Sequence, residues 1–160
     1  MIVLGIDPGT AVTGYGVVAR GDAGAVSLVE CGVIRTSPGQ PLARRLREIH
    51  EGVLELLDRH RPDAVSVENV YHGRNARTAL VLGHARGVIL LAAALEDITL
   101  AEYASAEIKK AVVGTGQATK DQVAFMVQKR LHLQSPPSPA DAADGVAAAL
   151  CHCTAMSFRP

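Results

Sequence analysis

A chain of 160 residues that is 48% hydrophobic, with a mean hydropathy of +0.18, can bury one sizeable core, which excludes a disordered tail. Sixteen basic and sixteen acidic residues leave a formal charge of zero, and by total charge alone that argues mildly against a nucleic-acid partner. Three cysteines are an odd number for a disulfide framework, the start MIVLGIDPG lacks the features of a signal peptide, and the longest unbroken apolar run, residues 88–95, falls short of the ~20 residues of a membrane span; the expectation is a cytoplasmic protein with no membrane partner.

IVLGID at 2–7 is a short apolar β-type run stopped by Pro8-Gly9. The runs at 14–20 and 26–36 read as two further strands joined by the turn GDAG, and connections this short imply an antiparallel meander. Residues 42–59 place Leu42, Leu46, Ile49, Val53 and Leu56 at helical spacing. A strand is expected at 63–69, a long helix at 76–95 and another strand at 98–103, followed by helices near 105–112, 119–131 and 140–153. PPSP at 136–139 separates the last two helices. The layout is an α/β protein: a mixed five-stranded sheet, three meander strands plus parallel strands, flanked by helices. Cys151, His152 and Cys153 lack the spacing of C-x-x-C metal pairs and read as buried residues near a helix end.

The acids carry the chemistry. Asp7 ends the first strand and Glu68 the fourth, so if these strands are neighbours both carboxylates emerge at one sheet edge. Asp141 and Asp144 are i and i+3 on the last helix and share a face. Packing that helix on the sheet brings all four together. Asp141, after Pro139-Ala140, could instead be an N-cap; Asp144, a turn deeper among alanines, cannot. Two carboxylates ~4 Å apart repel by roughly 4 kcal/mol at an effective dielectric of 20, so gathering four calls for a divalent cation. Oxygen ligands without His or Cys favour Mg²⁺ or Mn²⁺ over zinc. Basic residues cluster at Arg44, Arg45 and Arg47, at Arg74, Arg77 and Arg86, and at Lys109, Lys110 and Lys120; each cluster alone reads as a solvated face.

GIDPGTAVTGYGVV, VSVENVY, NARTALVLGHARGV, KKAVVGTGQATKDQV and DAADGVAAAL, in this order and spanning nearly the whole chain, resemble the successive signatures of the RuvC family of Holliday junction resolvases. D-x-G-T alone also opens the phosphate loop of actin-like ATPases, but a second D-x-G loop and the length for a second lobe are missing. A non-catalytic junction binder of the same fold would gain nothing from four repelling acids. The resemblance implies a single ribonuclease H-like nuclease domain over 1–160 acting as a homodimer. It also implies Mg²⁺-dependent cleavage of four-way DNA junctions by paired symmetric nicks with 5′-phosphate and 3′-hydroxyl ends, in recombination and repair, with a RuvA/RuvB branch-migration complex as partner. By motif match Asp7, Glu68, Asp141 and Asp144 correspond to the catalytic acids and would hold two ions, Asp7 bridging both. Lys109 and Lys120 match lysines near the scissile phosphate. Tyr71 stands where the family often carries a phenylalanine that packs on bases; Arg74, Asn75, Arg77 and Lys110 are expected to contact DNA.

The helix at 76–95 is apolar nearly all round, with Leu80, Gly87, Val88, Leu91 and Leu95 on one face and Leu82, Ile89, Leu90 and Ala93 on the other. The sheet can cover one side; the other predicts a second subunit, with Gly83 and Gly87 permitting close approach.

Overall fold

Alternation of side chains along a strand means that a strand between two helical layers must be apolar on both faces, and Ile2–Asp7 (β1) and Ala64–Asn69 (β4) meet that demand. A computed structural model describes residues 1–69 and 76–156. The remaining elements are β2 (Val12–Arg20), β3 (Val26–Arg35), α1 (Leu42–His60), α2 (Ala76–Leu95), β5 (Thr99–Ala104), α3 (Ser105–Val113), α4 (Lys120–Arg130) and α5 (Ala140–Ala155). They form a five-stranded sheet of order β3-β2-β1-β4-β5. β1, β2 and β3 pair antiparallel, and β4 pairs parallel with both β1 and β5.

Most elements lie within two residues of their predicted bounds. β2 starts at Val12, two residues before the predicted 14, because Val12 already pairs with Arg35. The Thr13 hydroxyl, fully buried, donates to the Gly9 carbonyl at 2.7 Å and closes the preceding turn early. α1 ends where Arg61 adopts φ 42° and donates its N–H to Leu57 O, the left-handed cap geometry.

Two apolar layers sandwich the sheet. On one side Leu4, Ile6, Val17, Val65 and Val67 meet α1 and α2 through Ile49, Val53, Ala85 and Ile89. On the other Val3 and Val18 meet α3, α4 and α5 through Ile108, Val127 and residues 146–151 of α5. Cys151, His152 and Cys153 are buried in this second layer, with Tyr103 Oη and His152 Nδ1 2.9 Å apart. A polar staple joins β2, β3 and α1: Tyr15 donates to Glu30 at 2.8 Å, and Arg59 and His60 each reach the same carboxylate at 3.0 Å.

α2 is covered on one side only. Ala85, Ile89, Ala92 and Ala93 are buried, whereas Leu80, Leu91 and Leu95 are 66%, 51% and 63% exposed. Gly83 and Gly87 lie on the exposed stripe, with no atom within 4 Å of where their Cβ would stand. Val88, grouped by sequence on one face with Leu80, Leu91 and Leu95, packs partly buried against the α1–α2 core. The unbroken-run criterion also understates this helix: an 18-residue window has a mean hydropathy of 1.8, long and apolar enough by length and composition to cross a membrane. Arg86 within it pairs with Glu102 of β5.

α5 lies very close to the sheet. A Cβ on Gly5 would stand 2.2 Å from Gly145 O and 2.3 Å from Ala149 N, distances that only a shift of the helix backbone relieves. Gly5→Ala should therefore destabilise the chain by about 1–3 kcal/mol, the usual cost of overpacking. For a chain of this size that is a fall in Tm on the order of 5 °C, measurable by thermal denaturation; an unchanged Tm would contradict the close approach.

Candidate active site

The same alternation that builds the two layers aims the acids. Val3 and Gly5 of β1 face α5, so Asp7, two residues on, faces it too. On β4, Ser66 donates to Ala148 O of α5 at 2.7 Å, so Glu68 has the same orientation. The parallel register pairs Ile6 with Val67, which sets Asp7 beside Glu68 at the shared carboxyl edge of the sheet. Asp7 also pairs across β2 with Gly14, and a Cβ on Gly14 would lie 1.9 Å from Asp141 O. The first turn of α5 therefore rests on that edge.

The result is a cleft of about 250 Å³ lined by acids and lysines, with Asp7, Glu68, Asp144, Lys109 and Lys120 among its walls. Asp141 is not part of the lining, but its charge bears on Asp7. The α5 N-cap is Pro139, without a side-chain cap, so Asp141 sits inside the first turn and the N-cap alternative falls. Lys120 opens α4 behind a capping box: the Thr119 N–H donates to Gln122 Oε1 at 2.8 Å, and Gln122 N–H donates to Thr119 Oγ1 at 3.3 Å. Its ammonium lies 2.7 Å from Asp144 Oδ2.

The loop after Asp7 is braced as well. Thr36 donates to Thr10 O, and Arg45 Nε donates to Thr36 Oγ1 at 3.0 Å. Arg45 and Arg86 thus serve structure, while Arg47, in an exposed pair with Glu51, stays on a solvated face. Arg77 lines a small neighbouring cavity with Thr10 and Leu82, and Leu82 also lines the acid cleft. Lys110 points elsewhere, into a separate cavity with Tyr103, Glu107 and Cys151. Tyr71, Arg74 and Asn75 lie outside the described residues. Ser105, absent from the sequence reading, lines the cleft and hydrogen-bonds Glu68. Its signal was its place directly after β5, at the same carboxyl edge.

The electrostatics show excess negative charge. Burial, then the charges of Glu68 and Asp144, push the Asp7 carboxyl up to about 7, with Lys120 opposing. Burial also raises Glu68, against the Ser105 hydrogen bond and the two lysines. The hydrogen bond to Asp144 holds the Lys120 ammonium above its ordinary value. Among the described residues no three His, Cys, Asp or Glu side chains are gathered tightly enough to hold a metal as they stand. The donor set, carboxylates without sulfur or imidazole and under-neutralised, nonetheless fits a hard divalent cation.

A carboxyl that titrates near 7 when folded and at 3.8 when unfolded binds more protons in the folded state between those values, so its contribution to stability falls as pH rises from about 4 to about 7. Glu68 adds the same sign. In a chelator, Asp7→Asn should lose part of this fall and melt above wild type beyond pH 7. Thermal unfolding from pH 4.5 to 8.5 checks it, and parallel curves for the two proteins would show that Asp7 is not held protonated.

Proteins similar to this chain are named as nucleases. The family model described as crossover junction endodeoxyribonuclease RuvC matches residues 3–152. The RuvC of Pelotomaculum thermopropionicum is 47% identical over 152 residues, covering 95% of this chain and 92% of its own. The Thermus thermophilus RuvC structure superposes with a TM-score of 0.90 at 39% identity, covering 99% of this chain and 96% of that one. A second structure, of T. thermophilus RuvC in complex with a Holliday junction substrate, gives 0.90 at 37% identity with the same coverage. The fold is ribonuclease H-like, and the chain belongs to the RuvC family of crossover junction endodeoxyribonucleases.

Proposed function

We propose that this chain, acting as a single nuclease domain over 1–160, is a Mg²⁺-dependent endonuclease that resolves four-way DNA junctions by paired symmetric nicks leaving 5′-phosphate and 3′-hydroxyl ends. The observation that carries this reading is the cleft in which Asp7, Glu68 and Asp144 meet Lys109 and Lys120, in a chain whose T. thermophilus relative has been captured on a Holliday junction substrate. Asp7, Glu68, Asp141 and Asp144 would hold two ions, Mn²⁺ substituting for Mg²⁺. When bound, such ions supply a water of lowered pKa and stabilise charge on the leaving oxygen.

The chain's own side chains do the rest. Asp7, on a strand paired on both sides, stands between Glu68 and the α5 aspartates, which suits a shared ligand. The Ser105 hydrogen bond orients Glu68 and opposes the burial that raises its carboxyl. Lys109 and Lys120 offset the charge that builds on the phosphate. Tyr71 stacks on a base, and Arg74, Asn75, Arg77 and Lys110 contact DNA, the basic ones through its backbone. The enzyme works in the cytoplasm in recombination and repair, beside a RuvA/RuvB complex.

Two cuts on a symmetric junction need two clefts, and the uncovered stripe of α2 supports a homodimer. Leu80, Leu91 and Leu95 leave an exposed apolar stripe of the kind that marks an interaction site, and the glycines between them allow helix axes to come close. A membrane is the weaker occupant, because Arg86 and the buried alanines bind the helix into the domain.

Asp7→Asn should abolish cleavage of a synthetic junction with Mg²⁺ while binding is kept or tightened, since binding rests on phosphate contacts. Asp141→Asn should lose cleavage too; the amide keeps the shape of the side chain without its charge, so an active Asp141→Asn would return this residue to a structural role. Gel-resolved strand sizing with and without a chelator reads both.

For the dimer, Leu91→Glu should give folded monomers that no longer make paired cuts, whereas Ile89→Glu, fully buried, should unfold the chain. Sedimentation of wild type and Leu91→Glu decides: a monomeric wild type that cuts symmetrically would refute the interface.

A further inference from the structure

Of the two cleft lysines, one stands where a cation belongs. The Lys120 ammonium is 2.7 Å from Asp144 Oδ2, and its charge acts on Asp7, Glu68 and Asp141 as well. Asp144 is held, with a side chain only 18% exposed, while that of Lys120 is 75% exposed. The α4 capping box pins the Lys120 backbone, and the four-carbon stem beyond it lies in solvent. Lys109 lines the same cleft and bears on Glu68, but among the described residues no ion pair ties it to an acid.

We propose that Lys120 is the resident counter-cation of the acid cluster: it occupies Asp144 in the metal-free chain and must be expelled when a divalent ion binds, which frees its ammonium for the DNA phosphate. This rests on reading the acids as a metal site. An ammonium and a divalent ion in contact with one carboxylate oxygen repel each other, since each is a full positive charge or more at contact distance. Displacement is inexpensive because an ion pair this exposed is weak, and a freed lysine head at the cleft mouth lies beside Lys109. Metal loading and phosphate binding are thereby linked through one side chain, and metal affinity without DNA is held down.

The test is Mn²⁺ binding to the DNA-free full chain, read as the electron paramagnetic resonance signal of free Mn²⁺. Lys120→Met should bind Mn²⁺ about fivefold more tightly than wild type, equivalent to about 1 kcal/mol. Lys120→Arg, which keeps the charge, should stay near wild type, and Lys109→Met should change clearly less than Lys120→Met. Asp7→Asn should lose binding. If Asp7→Asn weakens binding but Lys120→Met does not tighten it, or tightens it no more than Lys109→Met or Lys120→Arg does, the lysine is no placeholder and the metal site stands. If Asp7→Asn binds Mn²⁺ like wild type, the metal-site reading fails and takes this inference with it.

Discussion

Helix α5 lies so close to β1 and β2 that a single methyl on either side of the contact has nowhere to go. A Cβ on Gly16 would stand 2.3 Å from Val146 Cγ2, and one on Gly145 would stand 2.5 Å from the Tyr15 Cα. Close approach matters here because α5 carries two carboxylates that have to reach a strand end. With Gly5, Gly14 and Gly16 forming the strand side of the contact and Gly145 the helix side, the backbone of α5 replaces side chains as the packing surface. The helix is then almost wholly buried from Ala142 to Cys153, apart from Asp144. The alanines of ADAADGVAAAL follow from the same constraint, since longer side chains would lift the helix and carry Asp144 away from Asp7. The burial that fixes the helix also desolvates the cleft, and burial is the largest cause of the raised Asp7 carboxyl.

Gathering acids in such a place works against folding, because each carboxylate raises the cost of ionising its neighbours. The chain limits this cost in two ways. The strand acids are placed where hydrogen bonding or solvent reaches them, as with Ser105 at Glu68. A lysine on a separately capped helix then supplies charge at Asp144. Neither device removes the excess, and Asp7 remains the group on which it falls.

Much of this was legible in the sequence, and what was not has a common cause. The apolar β-type runs and the short GDAG connection identified the meander, and the places of Asp7 and Glu68 at the ends of their strands put both carboxylates at one sheet edge once those strands adjoin. The i, i+3 spacing of Asp141 and Asp144 likewise needs only a helix. Contacts between distant elements were not legible. The Lys120–Asp144 pair and Ser105 beside Glu68 depend on how α3 and α4 cross the sheet edge, which no local pattern encodes. The basic clusters misled for the same reason: Arg45 and Arg86 look like surface charge in sequence, yet one braces Thr36 and the other pairs with Glu102. Lys109 and Lys110 are adjacent in sequence, but on a helix adjacent residues point about 100° apart, and only the first faces the acids.

α2 ties the cleft to the outer surface. Leu82 lines the acid cleft, Ala85 and Ile89 fill the core between α1 and the sheet, and Leu80, Leu91 and Leu95 stand outside. These three roles lie on successive faces of one rigid rod, so the offset between cleft and outer stripe is fixed by helix geometry rather than by a flexible loop. A second copy docked on that stripe would hold its own cleft at an equally fixed distance and angle. If the proposed dimer makes two cuts at positions set by the shape of one junction, rigidity between its docking stripe and the proposed cutting carboxylates is the property required, and it would account for a helix this apolar on both faces.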